Sequence, residues 1–349
     1  MGSATRADVA RLMKVLASHS RVLILTHGNP DPDALASAAA LKLLVSQKAG
    51  IPCAIGYSGS LTRPENRQMV KRLGLRVRNV THIDLRRFRA VVLVDTQPGA
   101  GNNYLSDKQH PIAAIDHHRL TRATAGCQFH KVDPECGATS TIVYEMLSAA
   151  GIAPPAKIAT GLFYGIKTDT LDLGREATER DRDAYVKLFP LTVHRTLALI
   201  VHPRLPEAYY RIVHNAVEHA VIYGNCIYAG AGAVPTPEYV STIADYVAEL
   251  EGMRWAVATG IHAGDLYFSV RTLTARKDAG KILRHAIGQH GFAGGHQKMA
   301  GGVLLLSDVA EGERAAVEAK VRQSLIAALG ANTAAPRNLL SGAEETPSR

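Results

Sequence analysis

The sequence predicts an α/β protein: a first domain built on a parallel sheet with helices on both faces, then a smaller C-terminal α/β domain across a cleft. Three observations carry that expectation. Short uncharged apolar runs, Val22-Leu23-Ile24-Leu25, Val91-Val92-Leu93-Val94 and Ile112-Ala113-Ala114-Ile115, recur between segments of helical periodicity, as βαβ units require. Each run is followed within a residue or two by acidic or imidazole side chains: His27 to Asp33, Asp95, and Asp116-His117-His118. Open α/β sheets bind their ligands at that carboxyl edge. The alternation then breaks in a proline-punctuated stretch and restarts near Ala220.

In chain order, Val9, Leu12, Met13 and Leu16 fall at helical spacing ahead of the first strand. A polar loop over 26–33 follows that strand, and 34–45 reads as a helix ended near Gly50. Cys53-Ala54-Ile55 is a weaker strand, and 64–73 is a helix. After the strands ending at Asp95 and Asp116, one helical pattern runs through Ile142, Val143, Met146 and Leu147. A second, through Ile158, Leu162 and Ile166, ends at Asp169. Residues 175–219 are helical in pattern but broken by Pro190, Pro203 and Pro206. The second domain reads as a strand (220–228), a helix (237–251), two strands around His262-Ala263-Gly264-Asp265 and a helix (279–287). A glycine-rich segment (291–302), a strand (303–306) and a last helix complete it. The boundaries predicted are 1–189, a helical connection over 190–214, 215–330, and a disordered tail over 331–349 rich in Pro, Ser, Ala and Glu.

Composition narrows the function. The 349 residues carry 46% hydrophobic and 20% charged side chains, and a net charge of +9 favours acidic partners such as phosphates or nucleic acid. No Lys/Arg run forms a patch, and 5% aromatic content leaves no long stacking platform for single strands. Cys53, Cys127, Cys136 and Cys226 lack C-x-x-C spacing, which argues against a zinc ribbon or disulfide framework and for reduced thiols in a cytoplasmic protein. Residues 1–16 are interrupted by Arg6, Asp8, Arg11 and Lys14, so they do not read as a signal peptide. No stretch approaches the length of uncharged apolar chain that spans a membrane.

Imidazole and carboxylate are ligands for borderline and hard divalent ions. His27, Asp31 and Asp33 in one loop, with Asp116-His117-His118 in another, each behind an apolar run, therefore read as a metal-dependent hydrolase. One of Asp31 and Asp33 suits the N-cap of the following helix. The histidines at 194, 202, 214 and 219 show no ligand spacing and read as structural or solvated.

His27-x-x-Pro-Asp31-x-Asp33-Ala, Val94-Asp95-Thr96, Asp116-His117-His118 and Lys167-Thr168-Asp169-Thr170 stand in the order of the four motifs of the DHH phosphoesterases. Gly294-Gly295-His296-x-x-x-Ala300-Gly301-Gly302 resembles the glycine-rich motif of the substrate-binding domain attached to them. Over roughly 5–328 the chain is similar to the nanoRNases, 3′-phosphoadenosine 5′-phosphate (pAp) phosphatases and cyclic-dinucleotide phosphodiesterases of that family. The resemblance implies two Mn²⁺ ions, with Mg²⁺ or Co²⁺ as substitutes. His27, Asp31 and Asp95 would hold one; Asp33, Asp95, His117 and Asp169 would hold the other, with Asp95 bridging. Asp95 and His118 would be catalytic. His118 would face the substrate phosphate, to stabilise charge or protonate the leaving alkoxide, or else orient a carboxylate. His118, Arg271, Gly294, Gly295 and His296 would bind substrate, Arg271 by a bidentate phosphate contact.

The implied activity is hydrolysis of very short RNA or DNA oligonucleotides or dinucleotides, linear or cyclic, to nucleoside monophosphates. A pAp phosphatase and a non-catalytic nucleotide sensor are the alternatives, and a homodimer is compatible with the family. The chain departs from the family pattern in two places. Arg119-Leu120-Thr121-Arg122 follows the Asp-His-His triplet, where Arg119 and Arg122 either contact phosphate or are solvated. The glycine motif begins Phe292-Ala293 instead of with glycines.

Overall fold

A computed structural model describes residues 3–61, 63–105, 110–272, 277–295, 298–331 and 335–340. The chain divides into two compact units, Met1–Pro203 and Arg204–Arg349.

The first unit runs α1 (Ser3–Leu16), β1 (Val22–Leu25), α2 (Pro32–Ala49), β2 (Cys53–Tyr57), α3 (Pro64–Leu73), β3 (Val77–Asn79), β4 (Ala90–Val94), β5 (Ala113–Asp116), β6 (Phe129–Val132), α4 (Thr139–Ala149), α5 (Ala156–Asp169), α6 (Glu179–Leu188) and α7 (His194–Val201). Its six strands are all parallel, in the order β3-β2-β1-β4-β5-β6. This is the predicted α/β architecture, and the order reverses between β1 and β4. At such a switch point two strand-to-helix loops diverge and leave a crevice at the carboxyl ends. The main core joins Val22, Ile24, Val92 and Ile115 to α1, α2, α4 and α5, while Leu25, Leu93, Ala114 and Val80 fill a smaller one. Alternate residues of a strand point to opposite faces, so both faces of the sheet are covered.

The alanine-rich α2 is buried on most of its circumference, because small side chains let α4 and α5 approach it closely. At Gly165 of α5 a Cβ would stand 2.4 Å from Ser140 Oγ and 3.0 Å from Asp33 Oδ1. Strands β3 and β6, absent from the sequence reading, are the two sheet edges. They carry Arg78, Asn79, His130 and Lys131, as edge strands facing water do, and so show no apolar run.

The second unit runs α8 (Glu207–Glu218), β7 (Val221–Tyr223), β8 (Cys226–Ala233), α9 (Glu238–Val247), β9 (Trp255–His262), β10 (Asp265–Thr272), α10 (Ala279–Ile287), β11 (Gly291–Gly295), β12 (Met299–Leu304), α11 (Arg314–Leu329) and β13 (Arg337–Asn338). Its sheet has the order β11-β12-β10-β9-β8-β7-β13, antiparallel except for the β8–β9 pair.

Several boundaries differ from the expectations. The strand placed at 220–228 is a hairpin, turning at Gly224 with φ +55°. The glycine-rich segment holds two paired strands, with Gly294 opposite Gly301. Its glycines let backbones close on one another: a Cβ on Gly291 would lie 1.9 Å from the Val303 carbonyl oxygen. The connection placed at 190–214 divides, since Leu197 and Ile200 pack in the first unit and Ile212 and Ala216 in the second. Within the expected disordered tail, Arg337 and Asn338 pair with Ile222 and Val221, and Leu339 N donates to the Ala220 carbonyl at 2.8 Å. Two exposed residues suffice there because their backbone groups find partners on β7. Among the described residues no single helix is long and apolar enough to cross a membrane.

Candidate metal centre

Five segments of the first unit deliver the polar residues to one place. β1 runs into the loop from Thr26 to Asp31, whose Asn29 has φ +53°. The Asn29 N–H donates to the Ser58 carbonyl (2.9 Å) and its Oδ1 accepts from Ser60 N–H (2.8 Å), which fixes the loop on the end of β2. Asp31 is the residue that caps α2, accepting from Ala34 N–H at 2.9 Å. Asp33, fully buried in the first turn, instead reaches the start of α4, where Thr139 N–H (2.7 Å) and Ser140 N–H (2.8 Å) donate to its two oxygens. A helix N-terminus suits a carboxylate because its first amides lack partners.

Asp95 follows directly on β4, buried, with φ +58°. A non-glycine residue there carries about 1–3 kcal/mol of backbone strain, and such strain gathers at functional sites. Thr139 Oγ1 donates to Asp95 Oδ1 at 2.8 Å. β5 ends at Asp116, whose Oδ1 accepts from the His117 and His118 amides (2.8 and 3.2 Å) and from His118 Nδ1 (2.8 Å). Gln97 Nε2 donates to the other oxygen at 2.7 Å. Asp169 is the last residue of α5, and Arg175 donates to its carbonyl at 2.8 Å.

The ligand atoms of His27, Asp31 and Asp95 lie within 4.8 Å of one another, as do those of Asp33, His117 and Asp169. His27 Nε2 stands 3.4 Å from Asp95 Oδ2 and 3.7 Å from Asp31 Oδ1. His117 Nε2 stands 3.1 Å from Asp169 Oδ2 and 3.7 Å from Asp95 Oδ1. Asp95 thus presents one oxygen to each triad. The Nδ1 atoms of His27 and His117 are engaged by the carbonyls of Gly28 (2.9 Å) and Cys136 (3.2 Å), which turns both Nε2 atoms toward the carboxylates. A further grouping joins Asp95, Asp116, His117 and His118. Asp116 is better read as an orienting group, since its oxygens already accept four donors.

His117 Nε2 is buried and faces the carboxylates of Asp169 (3.1 Å) and Asp95 (3.7 Å), with no hydroxyl or carbonyl partner, as a metal-ligating nitrogen would. The charges agree. Burial, then the Asp95 and Asp169 carboxylates, raises Asp33 well above the ordinary range. Burial, opposed by the His117 hydrogen bond and reinforced by Asp31 and Asp95, pushes Asp169 up to about 6. Burial lowers the imidazoles, but neighbouring carboxylates outweigh it: His27 is raised by Asp31 and Asp95, and His117 is raised to about 11 by Asp169, Asp95 and Asp33. Without a cation, protons alone hold these carboxylates together, so the residues fit divalent ions.

His118 has 58% of its side chain exposed. Its hydrogen bond to Asp116 raises its pKa against burial, and leaves Nε2 facing outward from that contact. In the second unit, Arg271 is bonded to Asp245, Ser269 and the Val270 carbonyl. Gly294 has open space where a Cβ would stand. Gly295, at φ +139°, is forced by the hairpin, since its Cβ would meet the Met299 carbonyl at 2.3 Å. His296 lies outside the described residues. The sequence reading missed Gln97, Thr139 and Ser140; the only local hint was Thr139-Ser140 opening a helix.

Residues 21–166 match the N-terminal domain of the DHH family. An uncharacterized protein of Methanocaldococcus jannaschii is 33% identical over 321 residues, 88% of this chain and 64% of that protein. A probable manganese-dependent inorganic pyrophosphatase of Lactobacillus delbrueckii is 29% identical over 168 residues, 48% of this chain and 53% of that protein. The chain thus spans 53% to 64% of the length of these relatives. The crystal structure of an exopolyphosphatase-related protein from Bacteroides fragilis shares the fold, with a TM-score of 0.70 at 12% identity over 93% of this chain and 98% of that one. The match over 21–166 takes in His27, Asp31, Asp33, Asp95, His117 and His118, so this stretch of the chain is a DHH-family N-terminal domain.

Proposed function

We propose that the protein is a two-metal phosphodiesterase that hydrolyses very short oligonucleotides, linear or cyclic dinucleotides among them, to nucleoside monophosphates. The observation that carries this reading is Asp95 offering one oxygen to each of two His/Asp triads, with the buried His117 Nε2 facing the Asp95 and Asp169 carboxylates. His27, Asp31 and Asp95 would hold one ion, and Asp33, Asp95, His117 and Asp169 the other. The donor set, free of thiolate, suits Mn²⁺, with Mg²⁺ or Co²⁺ as substitutes. Divalent ions supply charge stabilisation at the phosphoryl oxygens and a water acidic enough to act as nucleophile near neutral pH.

The chain's own residues do the rest. The Thr139 hydroxyl and the amides of Thr139 and Ser140 fix the carboxylates of Asp95 and Asp33 before any ligand arrives. Asp116 holds His118 by Nδ1 and favours its imidazolium, which keeps a proton available at Nε2 for the leaving alkoxide. The net charge of +9 assists capture of anionic substrates. In the second unit, Arg271, Gly294, Gly295 and His296 would bind the remainder of the substrate. The guanidinium has five N–H donors, so its bonds to Asp245 and Ser269 leave capacity for a phosphate.

The test is turnover by the purified chain with Mn²⁺ on a panel of dinucleotides, a 24-mer RNA, cyclic dinucleotides, pAp and pyrophosphate. Dinucleotides should be cleaved to monophosphates much faster than the 24-mer. The pyrophosphatase relative makes pyrophosphate the sharpest rival, and cleavage of pyrophosphate alone overturns the proposal.

A further inference from the structure

The first unit carries an open groove of about 660 Å³ that contains no metal-ligand candidate. It lies at the carboxyl ends of β2 and β3, the same sheet edge as the metal centre, and is lined by Tyr57, Ser60, Leu61, Arg78, Asn79 and His82 among others. Its size falls in the range of small-molecule sites. Among the described residues no carboxylate lines it. Arg78 and His82 are exposed, and among the described residues the side chain of neither makes a hydrogen bond or ion pair. Tyr57, half-buried, offers the groove its one phenol ring among the described lining residues.

The walls are built parts of the fold. Asn79 Nδ2 donates to the Gly59 carbonyl (2.6 Å), and its Oδ1 accepts from the Thr81 amide and hydroxyl (3.0 and 2.9 Å). Gly59, at φ +70°, admits no side chain, since a Cβ would stand 2.2 Å from Asn29 Oδ1. Asn29 belongs to the loop that carries His27 and Asp31, and it is bonded to Ser58 and Ser60. The groove and the first metal triad are therefore one hydrogen-bonded piece. Neighbouring strands lie about 4.8 Å apart, so β3, two strands from β1, places the groove roughly 10 Å to one side. That is the reach of an adjoining nucleotide.

We propose that this groove is a second nucleotide subsite, in which Arg78 and His82 take a phosphate and the Tyr57 ring packs against the attached nucleoside. It would hold the nucleotide on one side of the scissile bond and so favour substrates of at least two units carrying a further phosphate. As a subsite for catalysis this rests on the phosphodiesterase reading; as a nucleotide-binding groove it does not. Arginine suits the role because its planar fork meets phosphate by two parallel hydrogen bonds.

Steady-state kinetics of the full chain with Mn²⁺ on the 5′-phosphorylated dinucleotide pApA test it. Arg78→Glu should raise KM about tenfold or more, and Tyr57→Ala several-fold, with kcat within about twofold. Arg182→Glu, a charge reversal at an exposed position on α6, should leave KM unchanged. Calorimetry of 5′-AMP binding to the same proteins gives a readout that needs no turnover. If pApA is cleaved and Arg78→Glu alters neither KM nor AMP affinity, or lowers kcat at constant KM, the subsite is wrong and the phosphodiesterase stands. If pApA is not cleaved but Arg78→Glu weakens AMP binding about tenfold while Arg182→Glu does not, the groove stands and the phosphodiesterase reading falls.

Discussion

Gln97 shows how much of the centre depends on a side chain with no chemistry of its own. It is buried, its Nε2 donates to Asp116, and its Oε1 accepts from Thr121 N–H (3.0 Å) and Thr124 Oγ1 (2.9 Å). Asp116 in turn orients both histidines. Leucine fills a similar volume but removes a donor from buried Asp116 and the acceptor of the Thr121 amide, each loss costing about 1–2 kcal/mol, while Thr124 Oγ1 keeps Thr121 Oγ1 at 2.9 Å. Gln97→Leu should lower unfolding free energy by about 2–4 kcal/mol in urea denaturation. It should reduce kcat with the refolded structure intact by circular dichroism. A variant as stable and active as the parent would show that Asp116 holds the histidines unaided. Such a role was illegible beforehand because Gln97 and Asp116 are 19 positions apart, whereas His27, Asp95 and His117 each follow directly on an apolar run.

At the scale of elements, Asp181 joins three pieces of chain. It completes the capping box of α6 with Thr178, and accepts from Gly137 N–H (2.9 Å) and Thr141 Oγ1 (2.6 Å) at the start of α4. That start supplies the amides that hold Asp33, and the Cys136 carbonyl beside it engages His117. Burial raises the Asp181 pKa, but these donors outweigh it and leave the carboxyl below its ordinary value. The stabilisation is therefore present above the unfolded pKa and lost as pH falls below it. Asp181→Ala should cost about 3–5 kcal/mol near pH 7 and less near pH 3, measured by denaturation at both. Equal losses would locate the effect elsewhere. The helices themselves were legible from periodicity. What ties them was not, because Asp181 meets Gly137 and Thr141 from 44 and 40 positions away. For the same reason β3 and β6 escaped notice: edge strands need no apolar signature.

For the whole molecule, metal, protons and stability are linked. Asp169 titrates near 6 in the folded, metal-free protein against an ordinary 3.8. Between those values the folded state holds more protons than the unfolded one, so this group's contribution to stability falls as pH rises and remains a penalty above 6. Divalent ions held as proposed would remove the penalty but would have to displace protons from Asp169, Asp33 and the two imidazoles, and so would bind more tightly as pH rises. At one Mn²⁺ concentration the rise in melting temperature should be larger at pH 7.5 than at 5.5; where the ion exceeds its dissociation constant a hundredfold the stabilisation is about 2.7 kcal/mol. Differential scanning fluorimetry with and without EDTA decides it, and a shift independent of pH would contradict the proton count.

The short pairing of Arg337 and Asn338 with β7 has a practical meaning for anyone handling the protein. Cutting the chain near residue 331, as its composition invites, would strip the outermost row from the second sheet. The bared margin of β7 would offer unpaired amides and carbonyls to any passing strand, including that of another copy. Those few exposed residues act as a hem, and a shortened preparation would be prone to self-association.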